Sequence, residues 1–229
     1  MDKFRRLRGS ESRAALRRCG FLARFVNVAL LVFLIAATPV AATETIKILM
    51  LGDSLTAGYG LIKGESLPAQ LEAALRANEV DARVVNGGVS GDTTAGGRAR
   101  LAWSLADGAD ALIVALGAND GLRGLPPQET EANLGAIIRG AKAAGVPVLL
   151  LGMQAPPNLG SEYGVDFDAV FSRLAARHGV AFYPFLLDGV VARPKLNQDD
   201  GIHPNAEGVA VVVGKILPFV RLLIEQARQ

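Results

Sequence analysis

The sequence predicts an α/β domain: a parallel sheet of about five strands with helices on both faces. Three observations carry this. Short apolar runs alternate with segments of helical spacing from residue 46 to the C-terminus. The runs 46–51 (IKILML) and 111–116 (ALIVAL) are apolar at nearly every position, as strands buried on both faces are. Half of the 229 residues are hydrophobic, which suits one well-buried core, and no internal repeat or low-complexity linker divides the chain.

Taken in order, 46–51 reads as a strand closed by Gly52. Residues 66–77 have helical spacing, with Leu67, Leu71, Ala74 and Leu75 on one face. A short strand, 83–86 (RVVN), precedes a glycine-rich turn and a helix running to about 103–105. Strand 111–116 follows. A helix over 127–144 stops at Gly145, and 147–151 (PVLLL) is the next core strand. Residues 166–178 are expected to be helical and 180–185 (VAFYPF) to begin as a strand. A last helix starts at Asn205 and carries Val209, Val212, Val213 and Ile216 inward; Pro218 is expected to kink or interrupt it.

The first 42 residues differ from the rest. Eight basic residues, Lys3 to Arg24, precede the apolar stretch 25–42, which ends in small residues with Val40 and Ala42 at the −3 and −1 positions. This is the pattern of a cleavable export signal, so the expected division is a signal peptide over 1–42 and a catalytic domain over 43–229. The alternative is an uncleaved N-terminal anchor; the stretch is short for a span and contains Pro39. The expected destination is the periplasm or the outside of the cell, with no stable membrane insertion after processing. Removing 1–42 turns a formal charge of +2 into 16 basic against 20 acidic residues, a net of −4, which argues against a nucleic-acid partner. The single cysteine, Cys19, lies in the same segment, so the mature chain has no disulfide and no thiol nucleophile.

In a doubly wound parallel sheet the ligand site lies at the carboxyl ends of the strands. The polar residues of this chain gather there. Ser54 follows the first strand, Ser90-Gly91-Asp92 the second, Asn119-Asp120 the third, 153–163 the fourth, and Asp200 and His203 the fifth. A serine in a GDS turn is by itself an ordinary helix cap. As a nucleophile it needs a base, normally histidine. Of the two histidines, His178 ends a helix, where a cation at the dipole's negative end is the expected role. His203 lies in the DDGIHPN loop at the right edge, three residues after Asp200, close enough for that carboxylate to hold Nδ1–H; Asp199 is the competing orienter. The backbone N–H groups of Ser54 and Gly91 and the Asn119 side-chain amide are candidate oxyanion donors. Asp53 and Asp92 are expected to shape their turns. Leu55, Leu122, Leu125 and Pro156 are candidates to contact an acyl chain.

The stretches GDSLTAGYGL, NGGVSGDTTAGGRARL, LGANDGLRG and DDGIHPNAEG resemble, in order, the blocks of the SGNH, or GDSL, hydrolase family. The lettered residues correspond to Ser54, Gly91, Asn119 and His203, and the branch it is similar to comprises bacterial arylesterases, acyl-CoA thioesterases and lysophospholipases. The resemblance implies a flavodoxin-like three-layer α/β/α sandwich and ester or thioester hydrolysis through an acyl-enzyme. It implies Asp200 as the triad acid and no metal or organic cofactor. It also makes GLRG (121–124) a counterpart of a mobile segment in relatives. A small acyl ester or thioester is the expected partner, and the expected state is a monomer. Two other readings stay open: an acyl or acetyl esterase acting on carbohydrate, and a non-enzymatic ligand-binding module. The second lacks a GxGxxG or GxxxxGK[ST] pattern at the first loop.

Overall fold

The computed structural model describes residues 44–229; the expected export segment and its cleavage point lie outside the described residues. Five parallel strands form one sheet in the order β2-β1-β3-β4-β5. They are β1 (Ile46–Gly52), β2 (Ala82–Gly88), β3 (Ala111–Ala115), β4 (Val148–Leu151) and β5 (Ala181–Tyr183). Seven α-helices connect and cover them: α1 (Ser54–Ala57), α2 (Leu67–Ala77), α3 (Thr94–Leu105), α4 (Ala118–Leu122), α5 (Pro127–Ala143), α6 (Ser161–His178) and α7 (Ala206–Ala227). α2 packs on α7, while α3, α5 and α6 pack in sequence, giving the three layers expected from the alternation.

All residues of β3 and β4 are buried, which explains their unbroken apolar runs. The core extends from them to Leu71 and Leu75 of α2, Leu134 and Ile138 of α5, Phe167 and Phe171 of α6, and Val212 and Ile216 of α7. Strand order reverses between β1 and β3, which are hydrogen-bonded neighbours: Leu51 pairs with Val114 and Gly52 with Ala115. The two loops that leave these strands therefore diverge from a shared crevice, and Ser54 and Asn119 stand on its opposite lips.

Two expectations are corrected here. α6 begins at Ser161, five residues before the expected start. Its first turn contains Gly164 and carries little apolar periodicity; it is held by packing, with the Tyr163 ring stacked on Phe167 and its hydroxyl donating to the Leu125 carbonyl at 2.9 Å. Pro218 lies inside a continuous 22-residue α7 and does not interrupt it. The missing N–H costs one intrahelical bond. Val212, Val213 and Ile216 before it and Val220, Leu223 and Ile224 after it are buried in the same core, so tertiary packing keeps the helix continuous across the missing bond.

Candidate active site

Asp53 and Ser54 turn the chain sharply out of β1. Asp53 is the N-cap of α1, and its Oδ1 accepts from the Leu55 N–H at 3.0 Å. Its carboxylate is fully buried (0% exposed), and burial pushes its pKa up to about 6, opposed by the Leu55 N–H bond, by His203 and by Asn119. The expectation that Asp53 shapes the turn thus agrees with the geometry. The cap leaves Ser54 as the first residue of α1, its Oγ 2.8 Å from His203 Nε2.

His203 reaches this position from the loop after β5. Asn197 and Pro204 form an isolated antiparallel bridge that closes the loop, and Gln198 N–H donates to the His203 carbonyl at 2.8 Å. Inside the loop, Asp200 Oδ1 accepts from the N–H groups of Ile202 and His203, each at 3.0 Å, and Asp200 Oδ2 lies 2.7 Å from His203 Nδ1. The backbone N–H bond from His203 and the contact with its ring hold the Asp200 carboxyl down at about 2. An ionised Asp200 accepts from Nδ1–H, which leaves Nε2 as the acceptor for the Ser54 hydroxyl. Asp199 makes no such contact.

Gly91 has φ +85°, a conformation that suits glycine, and only the Arg123 side chain stands near the position a Cβ would take. Among the described residues, neither the Gly91 nor the Ser54 N–H donates an internal hydrogen bond. Asn119 Nδ2 donates to Asp53 Oδ2 at 3.4 Å. Ser54, Gly91, Asn119 and His203 all line one cavity of about 540 Å³. Its other walls are mostly apolar, with Met153, Pro156, Phe185 and Leu187 among them. Leu55, Leu122 and Pro156 line it as expected; Leu125 does not, and its carbonyl instead ties the Tyr163 hydroxyl.

Residues 50–211 match the GDSL-like Lipase/Acylhydrolase family. The chain belongs to this family. It is 41% identical to esterase TesA of Pseudomonas aeruginosa over 192 residues, covering 83% of this chain and 94% of that one. To thioesterase 1/protease 1/lysophospholipase L1 of Escherichia coli it is 40% identical over 168 residues, 73% of this chain and 78% of that one. Among solved structures, AlinE4, an SGNH-hydrolase family esterase, superposes with a TM-score of 0.68 at 46% identity, covering 80% of this chain and 98% of that one.

The matched family region includes supports that the sequence reading did not single out. Arg123, at the end of α4, donates to the Gly91 carbonyl at 2.9 Å and so links the Gly91 loop to the helix that carries Asn119. Arg100 pairs with Asp92 at 2.7 Å and donates to the Gly52 carbonyl at 2.8 Å, tying the Gly91 loop to the end of β1. Behind α4, buried Asp120 accepts from the Thr94 N–H at 2.8 Å and from the hydroxyls of Thr94 and Thr130. Gln198 Nε2 donates to the carbonyls of Tyr59 and Pro204, clamping the Tyr59 segment to the His203 loop. The Arg123–Gly91, Arg100–Gly52 and Gln198–Tyr59 contacts have no local motif; each joins segments far apart in the chain.

His178 lies outside the cavity, at the C-terminus of α6. The expected cationic role is corrected. Burial first, then the nearby cations Arg139, Arg177 and Lys142, lower its pKa, so desolvation together with like charge opposes the dipole's preference for a cation. Among the described residues, no group of three or more His, Cys, Asp or Glu is placed to hold a metal ion, and no helix is long and apolar enough to cross a membrane.

Proposed function

We propose that this protein is an exported serine hydrolase that cleaves carboxylic esters and thioesters through an acyl-enzyme. The observation that carries the reading is the continuous chain Ser54 Oγ–His203 Nε2 at 2.8 Å and His203 Nδ1–Asp200 Oδ2 at 2.7 Å, opening into an apolar cavity. Family membership and relatives described as an esterase, an arylesterase and a thioesterase/lysophospholipase support it.

In this reading His203 Nε2 takes the Ser54 proton as Oγ attacks the acyl carbonyl carbon. Asp200 keeps the imidazole in the required tautomer and stabilises its positive charge. The carbonyl oxygen becomes an oxyanion, met by the N–H groups of Ser54 and Gly91 and by Asn119 Nδ2, all preorganised before substrate arrives. Collapse breaks the bond to the alcohol or thiol, and His203 Nε2–H returns its proton to that leaving group. Water then enters, gives a proton to His203 and attacks the acyl carbon; the acid leaves and Ser54 recovers its proton. The apolar walls suit a hydrocarbon acyl group.

A chromogenic acyl ester and an acyl-CoA thioester, assayed with the wild-type protein and Ser54→Ala, test the activity. Equal turnover by both proteins would rule the reading out. The proposed division of the chain has its own check. Export should leave a protein whose intact mass matches residues 43–229; a mass that retains 1–42 would favour an anchor.

A further inference from the structure

The loop that carries Gly91 is a four-residue turn from Val89 to Asp92. The Asp92 N–H donates to the Val89 carbonyl at 3.1 Å, Gly91 has φ +85°, and Ser90 has negative φ. Together these make a type II turn, which needs positive φ at its third residue. A type I turn closes with the same hydrogen bond. It differs only in ψ of the second residue and φ of the third. The two forms therefore interconvert by turning over the central peptide while both outer peptides stay in place.

The central peptide here is Ser90–Gly91, and it contains the N–H assigned to the oxyanion. Among the described residues, this peptide makes no internal hydrogen bond: the Gly91 N–H has no acceptor and the Ser90 carbonyl has no donor. Its surroundings are bonded. The Val89 N–H donates to the Gly52 carbonyl at 3.0 Å, the Gly91 carbonyl accepts from Arg123 at 2.9 Å, and the Asp92 carboxylate pairs with Arg100 at 2.7 Å. The turn is thus fixed in position and left with one free rotation. Space is not the reason for glycine here, since an added Cβ would meet only the Arg123 guanidinium, at 3.9 Å, an ordinary contact. The backbone is the reason: apart from Asn, L-residues rarely hold a positive φ at the third position.

We propose that the Gly91 N–H is aimed by a peptide flip. Positive φ at residue 91 points the N–H into the cavity, and negative φ turns the Ser90 carbonyl there instead. The proposal rests on the Gly91 N–H being an oxyanion donor. The flipped turn does more than lose that donor, because it sets the negative end of a carbonyl dipole toward the developing negative charge. It disturbs the fold little, because type I is the commonest turn and accepts most residues.

The test compares Gly91→Ala with Gly91→Asn. Alanine is the smaller residue, but asparagine is the one that tolerates the third position of a type II turn. On a chromogenic acyl ester, kcat of Gly91→Ala should fall by at least about 10²–10³-fold, the cost of one oxyanion donor. Gly91→Asn should keep several-fold more activity than Gly91→Ala. The urea midpoint of Gly91→Ala should stay close to wild type, and its crystal structure should show negative φ at residue 91 with the Ser90 carbonyl facing the cavity. Activity in Gly91→Ala equal to or above that of Gly91→Asn would make size the determinant and overturn the proposal. A kcat loss below tenfold in Gly91→Ala, or a loss that comes with a clearly lowered midpoint, would also overturn it. The crystal structure separates the two ways of failing. A flipped turn with activity retained removes Gly91 from the oxyanion role, whereas a turn that keeps positive φ removes the flip.

Discussion

Asp53 Oδ2 accepts a hydrogen bond from Asn119 Nδ2 across the crevice between the ends of β1 and β3, at 3.4 Å. A buried carboxylate thus faces the amide assigned to the oxyanion, and its other oxygen is held by the Leu55 N–H. Asp53 fixes which way the Asn119 amide points, because only the Nδ2 end can meet a carboxylate oxygen.

The same burial makes Asp53 a source of pH-dependent stability. Its folded pKa of about 6 lies above the ordinary 3.8, so between about pH 4 and 6 the native state keeps a proton that the unfolded chain releases. Stability therefore falls as pH rises through that window and levels off above it, by a total on the order of 3 kcal/mol. Asp53→Asn should flatten this slope. Urea midpoints measured from pH 4 to 7 check it, and a variant with the wild-type slope would contradict the assignment.

Asn119→Ala should lower kcat by about 10²–10³-fold, the usual cost of one oxyanion donor. KM should change little, since the amide acts on charge that develops after binding. A loss below tenfold would remove Asn119 from the role.

Asp200→Asn should cost on the order of 10³–10⁴-fold in kcat by allowing the wrong imidazole tautomer. Asp200 is held at about 2, so its carboxylate stays ionised well below neutral pH. Between about pH 5 and 8 the wild-type carboxylate is therefore always in place, and the loss in Asp200→Asn should be present throughout that range. A loss below about tenfold at neutral pH would remove Asp200 from the role.

Gly88→Ala should destabilise the fold by about 1–3 kcal/mol, as overpacked sites do. A Cβ there would stand 2.2 Å from the Ala57 backbone nitrogen, so the end of β2 would be pushed off α1. Activity should fall with it, since α1 begins at Ser54. A thermal midpoint equal to wild type would contradict the close approach.

The legible features were those with a local cause. β3 and β4 announce themselves because both faces are buried and every position is apolar. Asp200 and His203 could be paired because one turn spans three residues. The start of α6 was hidden because its first turn is held by the Tyr163–Phe167 stack, not by its own periodicity. The continuity of α7 through Pro218 depends on packing against other elements, and the lowered pKa of His178 on its burial and on cations from α5 and α6. The Asp53–Asn119 bond and the Arg123–Gly91 bond follow from the neighbours of β1 in the sheet, which no stretch of sequence states.

The Asn197–Pro204 bridge gives the loop after β5 a further property. The proposed acid and base, Asp200 and His203, ride on one closed turn, anchored at both ends, while Ser54 stands at the start of α1, after β1. Of the two distances that join Asp200, His203 and Ser54, one is local and stays constant under any rigid shift of the turn. The other spans 149 residues and absorbs all of that shift. Of these two, a displacement of the turn by about 1 Å would stretch only the Ser54–His203 bond, so the site would fail as a switch with one contact and not by gradual decay of both.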